Sequence, residues 1–234
     1  MKRTTESLIL GACIIIAAAV FGAFFYSARP SQKTIDVVGA ATERFQSDVV
    51  KWRLAISRQA SPSSVDAAYG SLKANLNTVE GELKSAGIEE KDVTIQTLNT
   101  QPIYQAKGEM DYNLTQSITV ISHDIPNVEK LALNPGSLVS KGVVVQSSVL
   151  EYYFSKLADI KQKLLSDATK DAMKRAKAIA DNTGLRIDYL VSARAGVFQI
   201  TEPYSTEVSS YGIYNTSTRE KDITVTVHCT FRLK

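Results

Sequence analysis

The sequence predicts an α+β domain, mainly antiparallel sheet packed with two long helices and one short helix, preceded by an N-terminal transmembrane helix. Three observations carry this. Residues 8–26 contain no charged side chain. Several later runs alternate apolar and polar residues at period two and come in pairs separated by short polar connections, as antiparallel strands do. Two further stretches repeat their apolar residues at helical spacing.

The uncharged run, which includes Leu8, Ile14, Ile15, Ile16, Val20, Phe21, Phe24, Phe25 and Tyr26, is 19 residues long. About 20 residues cross a bilayer as helix. Lys2 and Arg3 precede it, which places the N-terminus in the cytoplasm and the remainder outside. Three readings compete: an uncleaved anchor, a cleaved signal peptide, and a lipoprotein signal around Leu10-Gly11-Ala12-Cys13. The run outlasts a signal peptide's apolar core of about 7–15 residues. It also continues well past Cys13. The anchor is therefore the first choice and cleavage with secretion the second, with residues 1–29 as tip and anchor and residues 30–234 as the extracytoplasmic domain.

The 234 residues hold 27 basic and 24 acidic side chains, a net charge of +3. Residues 1–29 contribute Lys2, Arg3 and Arg29 against Glu6, so the remainder is nearly neutral at +1. A nucleic-acid partner requires a clustered basic excess, and none is visible. Two cysteines, Cys13 in the apolar run and Cys229 near the end, exclude a disulfide framework.

Residues 32–44 read as a strand, a turn and the start of another. In the following extended run Val50, Trp52, Leu54 and Ile56 share one face. Ser61-Pro62-Ser63 opens a helix with a strict heptad stripe: Val65, Tyr69, Leu72, Leu76, Val79, Leu83 and Ala86, ended by Gly87. Residues 94–102 form a strand, 106–111 a hairpin connection and 112–122 the returning strand. Asp124 caps a short helix over 125–133, which Asn134-Pro135-Gly136 breaks. A strand over 142–154 follows. Residues 45–154 thus permit a split βαββαβ unit.

The longest helix covers 155–182 and is about 42 Å long at 1.5 Å per residue. Ala168, Ala172, Ala176 and Ala180 recur every four residues along it, a face that lets another backbone approach closely. A strand over 189–195, a long polar stretch over 200–219 and a final strand over 222–233 complete the chain. In that last strand Ile223, Val225, Val227, Cys229, Phe231 and Leu233 share a face.

Several of these segments resemble the SIMPL-domain (YggE-like) family of exported proteins: Val37-Val38-Gly39-Ala40-Ala41, Ser47-Asp48-Val49-Val50, the run from Tyr112 to Val120, and Ala168-x-x-Asp171-Ala172-x-x-Arg175-Ala176-x-x-Ile179-Ala180-x-x-Thr183-Gly184. The chain departs from the family pattern in having Ser47 where a Pro is usual, no second Gly after Gly39, and an anchor where many relatives carry a cleaved signal. The resemblance implies an α+β domain, export, self-assembly into large oligomers and an association with envelope or oxidative stress. It implies no catalytic residues, cofactor or metal.

The residues themselves offer no G-x-S-x-G, Walker, H-E-x-x-H or C-x-x-C motif. His123 reads as exposed beside the capping Asp124, His228 as a surface residue and Asp48 as a structural turn residue. A hydrolase would need Asp48, Asp92, Asp124 and Asp222 to converge in one cleft. A binding module for an envelope protein or glycan would need a pocket lined by Trp52 or by the loop tyrosines. The reading adopted is a non-enzymatic homo-oligomer. Its expected interface comprises Tyr204, Tyr211 and Tyr214, whose rings give contact area and whose hydroxyls bond, together with the alanine stripe.

Overall fold

A computed structural model describes residues 2–27, 33–105 and 110–234, with side chains in the first helix for residues 11–26. That helix, α1 (Lys2–Ser27), exposes much of its described apolar surface: Ile15 is 70% exposed, Phe21 72% and Phe24 74%. Leu8 lies outside the described side chains. Among the described residues, no helix is long and apolar enough to cross a membrane.

The chain divides into two compact units. The larger comprises residues 40–168 and 196–226, the smaller residues 1–39, 169–195 and 227–234.

The larger unit is built on β2 (Val49–Ala60), α2 (Val65–Ser85), β3 (Val93–Ile95), β4 (Asn99–Tyr104), β5 (Met110–Ser122), α3 (Ile125–Leu133), α4 (Gly136–Ser140) and β6 (Val145–Tyr153). Its sheet runs β3-β5-β2-β6, with β4 also on β5, and every pairing is antiparallel. This is the split βαββαβ order that the sequence permits. The period-two row sets the register: Leu54 lies opposite both Ile118 and Ser148, and Val50, Trp52, Leu54 and Ile56 are buried to 1% exposure or less. They join one core with Leu72, Val79 and Leu83 of α2 and with Val128, Leu131 and Leu138 of α3 and α4. The Trp52 indole N–H stays satisfied there by donating to Ser148 Oγ at 2.8 Å.

Four expectations change. The described part of 32–44, residues 33–44, contains no turn: β1 (Thr34–Gln46) is one strand, with Val37, Gly39 and Phe45 inward, and the chain turns at Ser47-Asp48 instead. The strand expected over 94–102 is broken into β3 and β4, where the buried Gln116 side chain donates to the Gln96 carbonyl. On α2 the heptad stripe drifts: Ala68 is buried and Tyr69 is half exposed, because a straight helix turns in 3.6 residues rather than 3.5. The polar stretch after 200 is bracketed by two short strands, β8 (Gln199–Thr201) and β9 (Ile213–Tyr214), which pair in parallel. Of the expected hairpin connection, residues 106–109 lie outside the described residues.

The long helix α5 (Leu157–Thr183) and β10 (Glu220–Leu233) run through both units. In the smaller unit β10 pairs with β7 (Ile187–Ala195), and Thr230 bonds Asp36 of β1. In the larger unit it pairs with β8, and Thr224 bonds Thr42 of β1 at 2.9 Å. The inward row of β10 is Lys221, Ile223, Val225, Val227, Cys229 and Phe231, with His228 exposed.

Candidate functional site

The tyrosine-bearing stretch is tied down by side chains at both of its shoulders. Tyr204 takes a left-handed backbone, φ 63°, which costs a non-glycine residue free energy. Arg44 of β1 compensates locally. Its guanidinium carbon stands 4.5 Å from the Tyr204 ring centroid, Nη1 donates to the Tyr204 hydroxyl at 3.3 Å, and Nε and Nη2 fork onto Asp222. The guanidinium holds the Asp222 carboxyl below the usual carboxylate range, with help from the Tyr204 backbone N–H. At the other shoulder Gln199 of β8 clamps Ser209 from both sides, Nε2 donating to its carbonyl at 2.7 Å and Oε1 accepting its N–H at 3.3 Å.

The three tyrosines face different surroundings. Tyr204 lies against Arg44 but is 86% exposed, Tyr211 is 96% exposed, and Tyr214 stacks on Tyr153 at 6.0 Å. Burial raises the pKa of both members of that stacked pair. The alanines expected beside them lie elsewhere. Ala168, Ala172, Ala176 and Ala180 are at most 1% exposed, buried by the chain itself. Tyr204 and Tyr211 present exposed aromatic surface, with Val208 between them at 82% exposure.

The four aspartates perform separate tasks. Asp124 caps α3 through Asn127, Asp222 pairs with Arg44, and Asp92 ends the short 3-10 turn before β3. Asp48 accepts the Ser155 backbone N–H at 2.7 Å and the Ser155 hydroxyl, joining the start of β2 to the approach of α5. Burial pushes this carboxyl up, but the two Ser155 bonds outweigh it and hold the group below its ordinary range. His123 meets Asp48 only at the backbone carbonyl, 3.0 Å from Nδ1. Asp, Ser and His thus lie close together, but wired differently from a nucleophilic triad. There the imidazole takes the hydroxyl proton and the carboxylate holds the imidazole. Here the carboxylate binds the hydroxyl directly.

Trp52 is wholly buried and cannot line a pocket. A cavity of about 700 Å³ lies elsewhere, along residues 80–95. Cys229 is buried, which pushes its thiol up, and Cys13 is free on α1. Among the described residues no group of His, Cys, Asp and Glu could hold a metal ion.

The sequence reading missed one cluster. Lys221 is fully buried, its Nζ donating to the Thr218 carbonyl and lying 5.8 Å from the Tyr152 ring centroid. The Tyr152 hydroxyl donates to Glu129 Oε1 at 2.8 Å, and Arg219 approaches Glu129 Oε2 at 3.8 Å. Burial pushes Lys221 down to about 8. Burial and the Glu129 bond push Tyr152 up to about 12. Buried polar atoms without a hydrogen-bond partner among the described residues gather around this segment: Thr218 Oγ1, Arg219 Nε and Ser47 Oγ, whose residue's N–H bonds the Arg219 carbonyl. One signal was available: extending the inward row of the last strand one step back from Ile223 lands on Lys221.

No curated protein matches the chain. The profile of the SIMPL family, described as a protein of unknown function (DUF541), matches residues 35–231, which is most of the chain and takes in β2 to β9 whole and all but the outer ends of β1 and β10. The chain belongs to the SIMPL family.

Proposed function

We propose that this protein is a membrane-anchored, extracytoplasmic, non-enzymatic protein that self-assembles through its α+β domain. The observation that carries the reading is the extent of apolar surface exposed in a single chain. On α1, Ile14, Ile15, Ile16, Val20, Phe21, Phe24, Phe25 and Tyr26 are all at least half exposed, which suits a lipid environment rather than water. Lys2 and Arg3 at its start favour a cytoplasmic N-terminus. In the larger unit, Tyr204 and Tyr211 hold aromatic surface outward on a stretch anchored by Arg44 and Gln199, a rigid presentation that lowers the entropic cost of association.

Membrane fractionation and light scattering test the two halves. The full chain is expected in the membrane fraction after alkaline washing, with its C-terminal domain open to protease from the extracytoplasmic side. Residues 30–234 are expected to scatter as an oligomer. A strict monomer at high micromolar concentration, together with a full chain that does not crosslink in membranes, would overturn self-assembly. A full chain in the soluble fraction would overturn the anchor.

A further inference from the structure

The larger unit presents a groove between a helix and an open sheet edge. One wall is the last two turns of α2, with Glu80, Gly81 and Lys84. The other is β3, with Val93 and Ile95, and the volume is about 700 Å³. Ligand clefts commonly fall within about 300–1,000 Å³. Leu83 and Ile88 form the apolar floor, at 2% and 6% exposure.

β3 ends its sheet, so among the described residues its outer side has no partner strand. The phase of the ladder says which groups it offers. The Gln96 N–H bonds the Ser117 carbonyl at 2.9 Å, and Thr94 sits opposite Thr119. Thr94 and Gln96 therefore turn their backbone toward β5, and Ile95 turns both its N–H and its C=O to the open side. The Ile95 side chain is 40% exposed beside them. An extended chain laid here finds a backbone donor and acceptor together with an apolar floor for alternate side chains, which is how edge strands capture peptides.

The rim selects the sign of the partner. Glu80, Glu89 and Glu90 line the groove against Lys84, and Lys91 engages Glu89 at 2.6 Å. That leaves Glu80 and Glu90 facing one cation. Gly81 adds room: a Cβ built there meets nothing within 4 Å. A glycine inside a helix costs roughly 0.5–1 kcal/mol relative to alanine, and here it keeps the wall of the groove low.

We infer that the α2–β3 groove binds an extended peptide segment of a partner protein, with alternating apolar and basic residues, as an added antiparallel strand on Ile95. This goes beyond self-assembly and does not depend on it.

Fluorescence anisotropy on the full chain in detergent micelles tests it with two labelled probes, an alternating Lys–Val hexapeptide and its Glu–Val counterpart. The Lys–Val peptide is expected to bind and the Glu–Val peptide to fail. Gly81→Leu fills open space and favours the helix, so it blocks the groove while keeping the fold. Ile95→Pro removes an outward N–H, a position where edge strands accept proline. Each is expected to weaken binding by about tenfold or more, as is Glu80→Lys with Glu90→Lys. Circular dichroism confirms the fold of each variant. Equal binding of the two peptides would overturn the inference. So would loss of binding in the charge variant alone, with Gly81→Leu and Ile95→Pro unchanged, because that is adsorption to an acidic rim.

Discussion

Arg44 and Asp222 form a two-pronged ion pair, Nε to Oδ1 at 2.7 Å and Nη2 to Oδ2 at 2.9 Å, across 178 residues of sequence. The pair joins β1 to β10 and, because Arg44 also stacks on Tyr204, fixes the loop that carries the exposed tyrosines. A planar fork does both at once. A lysine could supply the charge but neither the second prong nor the stacking face.

Arg44→Lys is therefore expected to loosen the 202–211 stretch almost as much as Arg44→Ala. Limited chymotrypsin digestion reads this as faster cleavage after Tyr204 and Tyr211, with the strands intact by circular dichroism. The clasp is also pH-dependent. Asp222 has its folded pKa lowered, so its contribution is present above the ordinary carboxylate pKa and is lost as pH falls through the lower folded value. Asp222→Asn should give, at neutral pH, the digestion rate that wild type reaches only in acid. Equal rates for wild type and Arg44→Ala would sink the assignment.

Asp48 and Ser155 make the second long-range staple, 107 residues apart. Asp48→Ala removes both acceptors and leaves the Ser155 N–H without its partner. It is expected to cost about 1–3 kcal/mol in thermal or urea unfolding. Ser155→Ala keeps the backbone bond and should cost about half as much. Since the folded carboxyl lies below its ordinary range, the difference between wild type and Asp48→Ala should shrink as pH falls below about 4.

Ala176 is 0% exposed in the single chain. Ala176→Leu should therefore overpack the interior and cost about 1–3 kcal/mol at every protein concentration. If the stripe were an association surface, the loss would appear in the assembly state and vary with concentration. Unfolding curves at two widely separated concentrations distinguish these outcomes.

The elements with strong periodicity were legible in the sequence. The row Val50, Trp52, Leu54 and Ile56, the Asp124-capped α3 and the row of β10 all lie where period and capping put them, because burial on one face dictates the pattern. Features set by distant partners were not legible. Nothing local to residues 94–102 announces that a glutamine side chain from the neighbouring strand will take the Gln96 carbonyl and divide the strand. Nothing near Tyr204 announces Arg44, 160 residues away. The alanine stripe lies buried in the single chain, and spacing alone cannot say whether what covers such a face belongs to the same chain. Lys221 was overlooked because a lysine interrupts an apolar row, although the register places it inside.

That buried lysine makes the last prediction, and its sign differs from that of the carboxylates. Lys221 keeps no carboxylate partner at its Nζ among the described contacts; its bond goes to the Thr218 carbonyl. Burial lowers its folded pKa from 10.5 to about 8. Below about 8 both folded and unfolded chains carry the proton, and the full cost of keeping the charge in the interior is present. Between about 8 and 10.5 the unfolded chain binds more protons than the folded one, so stability rises with pH through this window. At about 1.4 kcal/mol for each unit, the gain across the window is about 3–4 kcal/mol. Lys221→Met keeps the length of the side chain and removes the charge. It should be more stable than wild type at pH 7 by an amount of the same order and should lose the alkaline rise. Urea unfolding of both proteins at pH 7 and pH 10 measures all four values. A wild type whose stability is flat over that range, or a methionine variant less stable at pH 7, would show that the ammonium is held by something stronger than one carbonyl and a tyrosine ring.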